Sequence, residues 1–447
     1  MRKMNLIGFL QAQNCTQLPS SWRHPEARED FLTAEYFRRI ACILEAGKFQ
    51  MGFFDDRLAM PDIYEADHAH TVQNGIRCVK LDPVTTLMAM GMATERLGLG
   101  ATCSTTYFEP FDVARKFSTL DLMSNGRAAW NVVTSMNDSE AMNMGKLEHP
   151  EHDLRYDRAD EFMEVVLGHW DSWEDGAIVL DRANDIFARP EKVHRLDHVG
   201  PNYRSRGPFT VPRTPQGHPV IIQAGSSGRG KRFATQWAEV IFTAYRDIAA
   251  GRRDYASQKQ AIADAGRNPN DVKISRLTYT IAAETRAEAE DKMAVIEHNY
   301  REIDGLSLLS EVLNYDFSKK AIDEPFTTEE LDGMSGSQAT RDRVISASGK
   351  ANPTTRDFLA MTERAKPHDA LVGGAKEIAD GLEDWFTSNA CDGFVISATH
   401  VPGTYEDFVK FVVPELQRRG LFHTDYEGIT LRDNLGLQNP ERGWWKR

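Results

Sequence analysis

Two rhythms alternate along the chain. Short, nearly continuous apolar runs occupy residues 6–10, 51–54, 97–102, 128–133, 219–224, 240–244, 274–283 and 393–397. Each is too short for a helix bundle core and reads as a strand buried on both faces. Between them the apolar positions fall at helical spacing. Phe37, Ile40, Ala41 and Leu44 line one face of a segment ending near Gly47. Tyr156, Ala159, Phe162, Met163, Val166 and Trp170 line a longer one, and residues 83–94 and 113–122 behave alike. Eight strand-then-helix units predict a parallel sheet flanked by helices. An open doubly wound sheet is the rival. Eight units in a 447-residue chain fit a closed α/β (β/α)8 TIM barrel better. The chain, residues 1–447, reads as a single barrel domain with insertions at about 175–218 and 286–375.

Composition narrows the function classes. Apolar residues make up 41% and charged residues 27%, so a packed core is expected. The net charge of −13 comes without a basic stripe, which argues against nucleic acid as a partner. Cys15, Cys42, Cys78, Cys103 and Cys391 are scattered and form no Cys-x-x-Cys pair. Reduced thiols in a cytoplasmic protein are expected, with no disulfide framework. No apolar stretch approaches the length of a membrane span.

The candidate chemistry sits at predicted strand ends, where a barrel builds its active site. Val220-Ile221-Ile222-Gln223-Ala224-Gly225-Ser226-Ser227-Gly228-Arg229-Gly230-Lys231-Arg232 runs from a strand through a Gly/Ser loop into a helix. Such a loop can close its N–H groups around a phosphate, with Ser227, Arg229 and Lys231 as further donors. The spacing nearly spells a nucleotide-hydrolysing P-loop, but Arg232 stands where a Ser or Thr would hold magnesium. His152 and Tyr156, four apart at a helix start, present polar tips on one side. His149 and His152 lack an identifiable third ligand, so no metal site is expected. Asn131 and Thr134 follow one buried strand; Asp55 and Asp56 follow another; Thr102, Ser104 and Thr105 follow a third. Phe9, His24 and Phe53 are candidates for a substrate pocket, and His400 is a further lone residue. No Rossmann fingerprint and no Gly-x-Ser-x-Gly elbow is present. A phosphate-binding barrel lyase is the non-redox alternative, but it would need a Schiff-base lysine or a metal cluster at a strand end.

These residues carry a resemblance. Trp22-Arg23-His24, Ala128-Ala129-Trp130-Asn131-Val132-Val133-Thr134-Ser135, His152-Asp153-Leu154-Arg155-Tyr156-Asp157-Arg158, Gln223-Ala224-Gly225-Ser226-Ser227 and Thr430-Leu431-Arg432-Asp433-Asn434-Leu435-Gly436-Leu437 resemble the bacterial-luciferase-like flavin monooxygenases. Within them the chain is most similar to the branch of nitrilotriacetate, EDTA and dibenzothiophene-sulfone monooxygenases, nearest the sulfone enzymes. The resemblance implies reduced FMN and molecular oxygen at the strand C-termini. It implies Asp56, Thr102, His152, Tyr156, Ser226 and Ser227 as FMN contacts, with Asn131 and Thr134 beside the flavin ring as the catalytic candidates. It also implies a separate NAD(P)H:flavin reductase as the source of reduced FMN, and a homo-oligomer, dimer or tetramer. The implied reaction is oxidation of a small organic sulfur compound with sulfone-type C–S cleavage; C–N cleavage of an aminopolycarboxylate is the alternative. Two features depart from the pattern: Asp55, where relatives place Pro or Ala, and the stretch 316–352, which diverges.

Overall fold

A computed structural model of the chain describes all residues except Met1, Ala12, Cys15, Ser226, Ser227, residues 362–365, His368 and Arg447. Eight parallel strands form the centre: β1 (Asn5–Gln11), β2 (Met51–Asp55), β3 (Gly98–Ser104), β4 (Ala128–Val133), β5 (Val220–Gln223), β6 (Val240–Thr243), β7 (Lys273–Ala282) and β8 (Gly393–Ser397). β1 pairs with both β2 and β8, and β6 pairs with β7, so the sheet closes on itself as a TIM barrel. All eight lie on the apolar runs of the sequence. Those runs are continuous because one face of each strand looks into the barrel and the other meets the helices.

Strand parity sorts the side chains. Leu6, Leu10, Phe54, Leu99, Ala101, Trp130 and Val132 face outward to helices α1 (Ala34–Ala46), α2 (Pro83–Gly91), α3 (Pro110–Met123) and α4 (His152–Trp170). Ile7, Phe9, Met51, Phe53, Ala129, Val220, Ile222, Val240 and Val395 face inward. The N-terminal mouth is plugged by the chain's own end. Leu431 and Leu435 of the short helix Leu431–Leu435, with Leu437, join the inward cluster. Gly98 admits this plug, since a Cβ there would lie 2.6 Å from both the Gln50 carbonyl oxygen and a Leu431 methyl. Buried Arg432 secures it on Glu239, with Nη2 2.9 Å from Oε2. Arg432 and His218 hold the Glu239 carboxyl below its ordinary range although burial alone pushes it up. With one end closed, the C-terminal mouth is left as the open face.

The two predicted insertions have internal structure the sequence did not disclose. The first carries two small antiparallel hairpins, Ile178–Asp181 with Ile186–Ala188 and His198–Val199 with Arg204–Ser205. The second carries helices Arg286–Asn299, Glu302–Leu313, Thr328–Asp332, Gln338–Ser348 and Thr355–Ala360, then a short strand, Leu371–Gly373, on the end of β7. Leu309, Leu313, Phe317, Phe326, Leu331 and Phe358 form a small apolar core within it. Among the described residues no helix is long and apolar enough to cross a membrane.

Candidate active site

The open mouth holds a cavity of about 660 Å³. Its floor is the last inward layer of the barrel: Phe9, Phe53, Phe242 and Leu277. Phe53 packs edge-on against Phe9 (5.7 Å between centroids) and Phe242 (4.8 Å). Its roof comes from the second insertion, through Ser337, Gln338, Ala339, Thr340, Asp342 and Arg343. A polar arm of about 210 Å³ shares Asp55, Arg57, Asn131, Met136, Ala224 and Gly225 with the main cavity. That arm runs on past Asp56, Thr134, Ser135 and Arg155 to His152 and Tyr156. Five of the residues singled out in the sequence, Asp56, Asn131, Thr134, His152 and Tyr156, therefore line one continuous space, with Phe9 and Phe53 beneath it.

Asn131 sits where cavity and arm meet. It is opposite Thr102 in the β3–β4 register, and its Nδ2 donates to Thr102 Oγ1 at 2.9 Å. Thr102 Oγ1 in turn donates to the Phe54 carbonyl at 2.8 Å, so that hydroxyl has only a lone pair to offer Asn131. This fixes which way the amide points. Asn131 Oδ1 is left buried and without a hydrogen bond. An unpaired buried acceptor costs about 1–3 kcal/mol, so the strand end is built for a donor from the cavity. Thr102 lies behind Asn131 and is absent from the cavity wall; the structure places it as the support of the amide.

The end of β4 is held in an unusual shape. Ser135 has φ +57°, a left-handed conformation for a non-glycine residue. Arg155 Nη1 donates to the carbonyls of Thr134 (3.2 Å) and Ser135 (2.5 Å). Glu140 accepts from Ser135 Oγ (3.2 Å) and Met136 N (3.0 Å). Sequence reading missed both supports. Arg155 stood inside a recognisable motif, but an arginine on an amphipathic helix reads as surface until its carbonyl partners are known.

The phosphate-type loop is placed between β5 and helix α5 (Gly228–Trp237), at the polar arm. Ser226 and Ser227 lie outside the described residues. Gly225 is required by close approach: a Cβ there would lie 2.9 Å from Gly230 Cα. The first turn of α5 carries no acidic residue, so its partial positive end is unopposed from within. The two cations expected to serve as anion donors are engaged elsewhere. Arg229 pairs with Asp160 and with Asp157 (3.0 Å), and Lys231 pairs with Asp254. Among the described residues, the unopposed N-terminal end of α5 is what this region presents to an anion. Next to it His152 and Tyr156 rings stand 5.2 Å apart, and Arg229 lies over the Tyr156 ring. Burial pushes the Tyr156 phenol up, keeping it a neutral donor.

Charge at the other side of the cavity is organised by residues the sequence did not flag. Glu311, on the insertion helix Glu302–Leu313, stands 3.8 Å from Arg57 Nε, 4.0 Å from Arg77 Nη1 and 3.9 Å from Lys80 Nζ. This buried cluster latches the insertion onto the loop after β2. Asp56 borders it, and burial pushes its carboxyl up to about 7 against the pull of Lys80.

His24 does not join the cavity wall. Its ring stacks on His400 at 3.7 Å and 7°, outside the cavity, with Glu26 Oε2 3.2 Å from His400 Nε2. Burial lowers both imidazoles, His400 to about 3, so the pair is neutral. His24, Glu26 and His400 each bring one potential ligand atom within 4.8 Å of the others. His149 binds Tyr107 and His152 binds Asp153, so these two histidines point to different partners.

Comparison with known proteins agrees with this architecture. Residues 17–390 match the family model of luciferase-like monooxygenases. The chain is 42% identical to dibenzothiophene-sulfone monooxygenase of Rhodococcus erythropolis over 98% of both chains. It is 42% identical to nitrilotriacetate monooxygenase component A of Aminobacter aminovorans, again over 98% of both. Among solved structures it resembles a riboflavin lyase determined with a modified FMN and riboflavin (TM-score 0.89, 29% identity, 98% of this chain and 97% of that one). The chain belongs to the luciferase-like monooxygenase family and is a flavin-dependent monooxygenase.

Proposed function

We propose that the protein uses reduced FMN and oxygen to oxidise a small organic sulfur compound, breaking a C–S bond of sulfone type. The observation that carries this reading is the division of the site. An apolar, largely aromatic floor (Phe9, Phe53, Phe242, Leu277) adjoins a polar arm whose end offers helix N–H groups, His152 and Tyr156. The polar arm suits a ribityl phosphate and the junction suits a flavin ring, while the floor suits an uncharged, flat, apolar substrate. Bound reduced FMN supplies the two electrons that let oxygen attack an organic molecule. The chain's own residues bind and orient. Asn131 Oδ1 accepts a hydrogen bond at the ring, the α5 end and loop hold the phosphate, and the roof residues exclude water. Two of the wall cations, Lys231 and Arg57, already face the carboxylates Asp254 and Glu311. This favours a neutral sulfone over a polyanionic aminopolycarboxylate. A separate NAD(P)H:flavin reductase is the proposed source of reduced FMN.

The test is a substrate panel supplied with oxygen, NADH and an added flavin reductase, read by mass spectrometry. Aromatic sulfones are expected to give hydroxylated sulfinate products with FMN, and FAD is expected to support far less turnover. Turnover of nitrilotriacetate with sulfones untouched would overturn the substrate assignment. Equal activity with FAD would overturn the phosphate assignment.

A further inference from the structure

A second cavity, of about 340 Å³, lies at the opposite end of the barrel from the candidate active site, beside the plug helix Leu431–Leu435. Asn5 and Lys273, the first residues of β1 and β7, line it with Asp392, just before β8, and Asn434 of the plug. No step of the reaction at the other mouth uses it. Its wall is basic. Arg2, Lys3, Lys259 and Lys273 stand against two carboxylates, Asp392 and Glu427, in a chain of net charge −13. Cations gathered on a concave wall of an acidic protein focus a positive field there.

The two carboxylates are already engaged. Asp392 Oδ1 accepts from Arg2 Nη1 (3.1 Å) and the Tyr255 hydroxyl (2.9 Å). Its Oδ2 accepts from Ile274 N (2.9 Å) and lies 2.9 Å from Lys259 Nζ. Glu427 lies between Lys3 (3.7 Å) and His423 (3.0 Å). Lys273 is left over. Its Nζ donates to the Asn270 carbonyl at 2.8 Å, and among the described residues it pairs with no carboxylate. Burial pushes its ammonium down, the cost of a charge withdrawn from water without a counter-ion. Asn434 adds a second unmet donor. Its Oδ1 accepts from Glu427 N and Gly428 N, both at 3.0 Å, which fixes the amide's orientation. Its Nδ2 is then buried without a hydrogen bond. A lone ammonium and a lone amide N–H on one wall both call for an acceptor that carries negative charge. The volume is at the small end of ligand sites, which run from about 300 to 1,000 Å³, so the acceptor is a compact one. We propose that this cavity binds a small phosphate-bearing anion, with Lys273 as its counter-ion and the Asn434 amide as a further donor. The ligand would join the starts of β1 and β7 to the plug and so hold the barrel bottom closed.

Calorimetric titration of the full chain with inorganic phosphate and with glycerol 3-phosphate, at an ionic strength held constant with potassium chloride, tests this. The wild type is expected to bind at least one of them saturably and to melt higher in its presence. Tighter binding of the ester would assign the cavity to a phosphorylated metabolite, and equal binding to the free ion; either supports the site. Lys273→Gln should weaken binding by about tenfold or more and abolish the rise in melting temperature, while Lys273→Arg should retain both. FMN affinity, set at the other mouth, should be the same in all three proteins. If Lys273→Gln does not fold, Lys3→Gln, at an exposed side chain, should still weaken binding by about threefold. The proposal is overturned if neither probe binds beyond the effect of potassium chloride. It is equally overturned if binding is indifferent to these Gln variants, as it would be for phosphate held only at the FMN loop.

Discussion

The hydroxyl proton of Thr102 is committed to the Phe54 carbonyl, and that commitment makes Asn131 an acceptor toward the cavity. From sequence an amide at this strand end could either give or take a hydrogen bond. An oxygen whose hydrogen bond strengthens as oxygenation proceeds should affect turnover more than affinity. Asn131→Ala removes a hydrogen bond to the bound ring and is expected to weaken FMN binding by no more than about tenfold, yet to lose most product formation, with hydrogen peroxide rising in its place. A variant that merely loses about 1 kcal/mol of stability and keeps its product-to-peroxide ratio would reduce Asn131 to a strand cap. Asp56 gives a second prediction, on pH. Its carboxyl is protonated below about 7 and charged above. Charged, it opposes an anionic ligand, so FMN affinity should fall as pH rises through about 7, more steeply than in Asp56→Asn. The flavin and phosphate titrate in the same range, so the difference between the two proteins is what calorimetry must show. The same shift should cost stability as pH rises from 3.8 to about 7, because the unfolded carboxyl ionises first. The Asn variant should lack that slope, and parallel profiles would contradict the assignment.

At the scale of elements, the barrel strands were legible because burial on both faces leaves an unbroken apolar run, as in Leu6–Leu10 and Val220–Ile222. The candidate site was legible where a polar residue interrupted or ended such a run, as Asn131 and Thr134 do. His24 was not, because neighbours in sequence say nothing about the His400 ring that captures it. The roof was not legible either. Residues 337–343 are polar and unremarkable in the chain, and only the folded insertion lays them across the mouth. Glu311 is what holds that insertion to the β2 loop. Removing its charge leaves Arg57, Arg77 and Lys80 buried together. Breaking a buried pair typically costs about 3–5 kcal/mol. Here the separations of 3.8–4.0 Å put Glu311→Gln at the lower end. The variant is expected to melt lower and to raise KM for the organic substrate more than it lowers kcat, since the roof shifts while Asn131 does not. An unchanged KM would detach the roof from substrate binding.

For the molecule as a whole, the plug at one end and the insertion at the other leave a single logic. The helix Leu431–Leu435 closes the barrel bottom, the aromatic layer above it makes a floor, and polar strand ends and the roof enclose the cavity. The central expectation is that oxygen reaches an organosulfur substrate in that space. The direct measurement is one turnover with chemically reduced FMN, ¹⁸O₂ and dibenzothiophene sulfone, quenched and weighed by mass spectrometry. The expected result is a ring-opened sulfinate whose new hydroxyl carries one ¹⁸O, formed by the wild type and nearly absent with Asn131→Ala. Unchanged sulfone, with all the oxygen recovered as hydrogen peroxide, would contradict it.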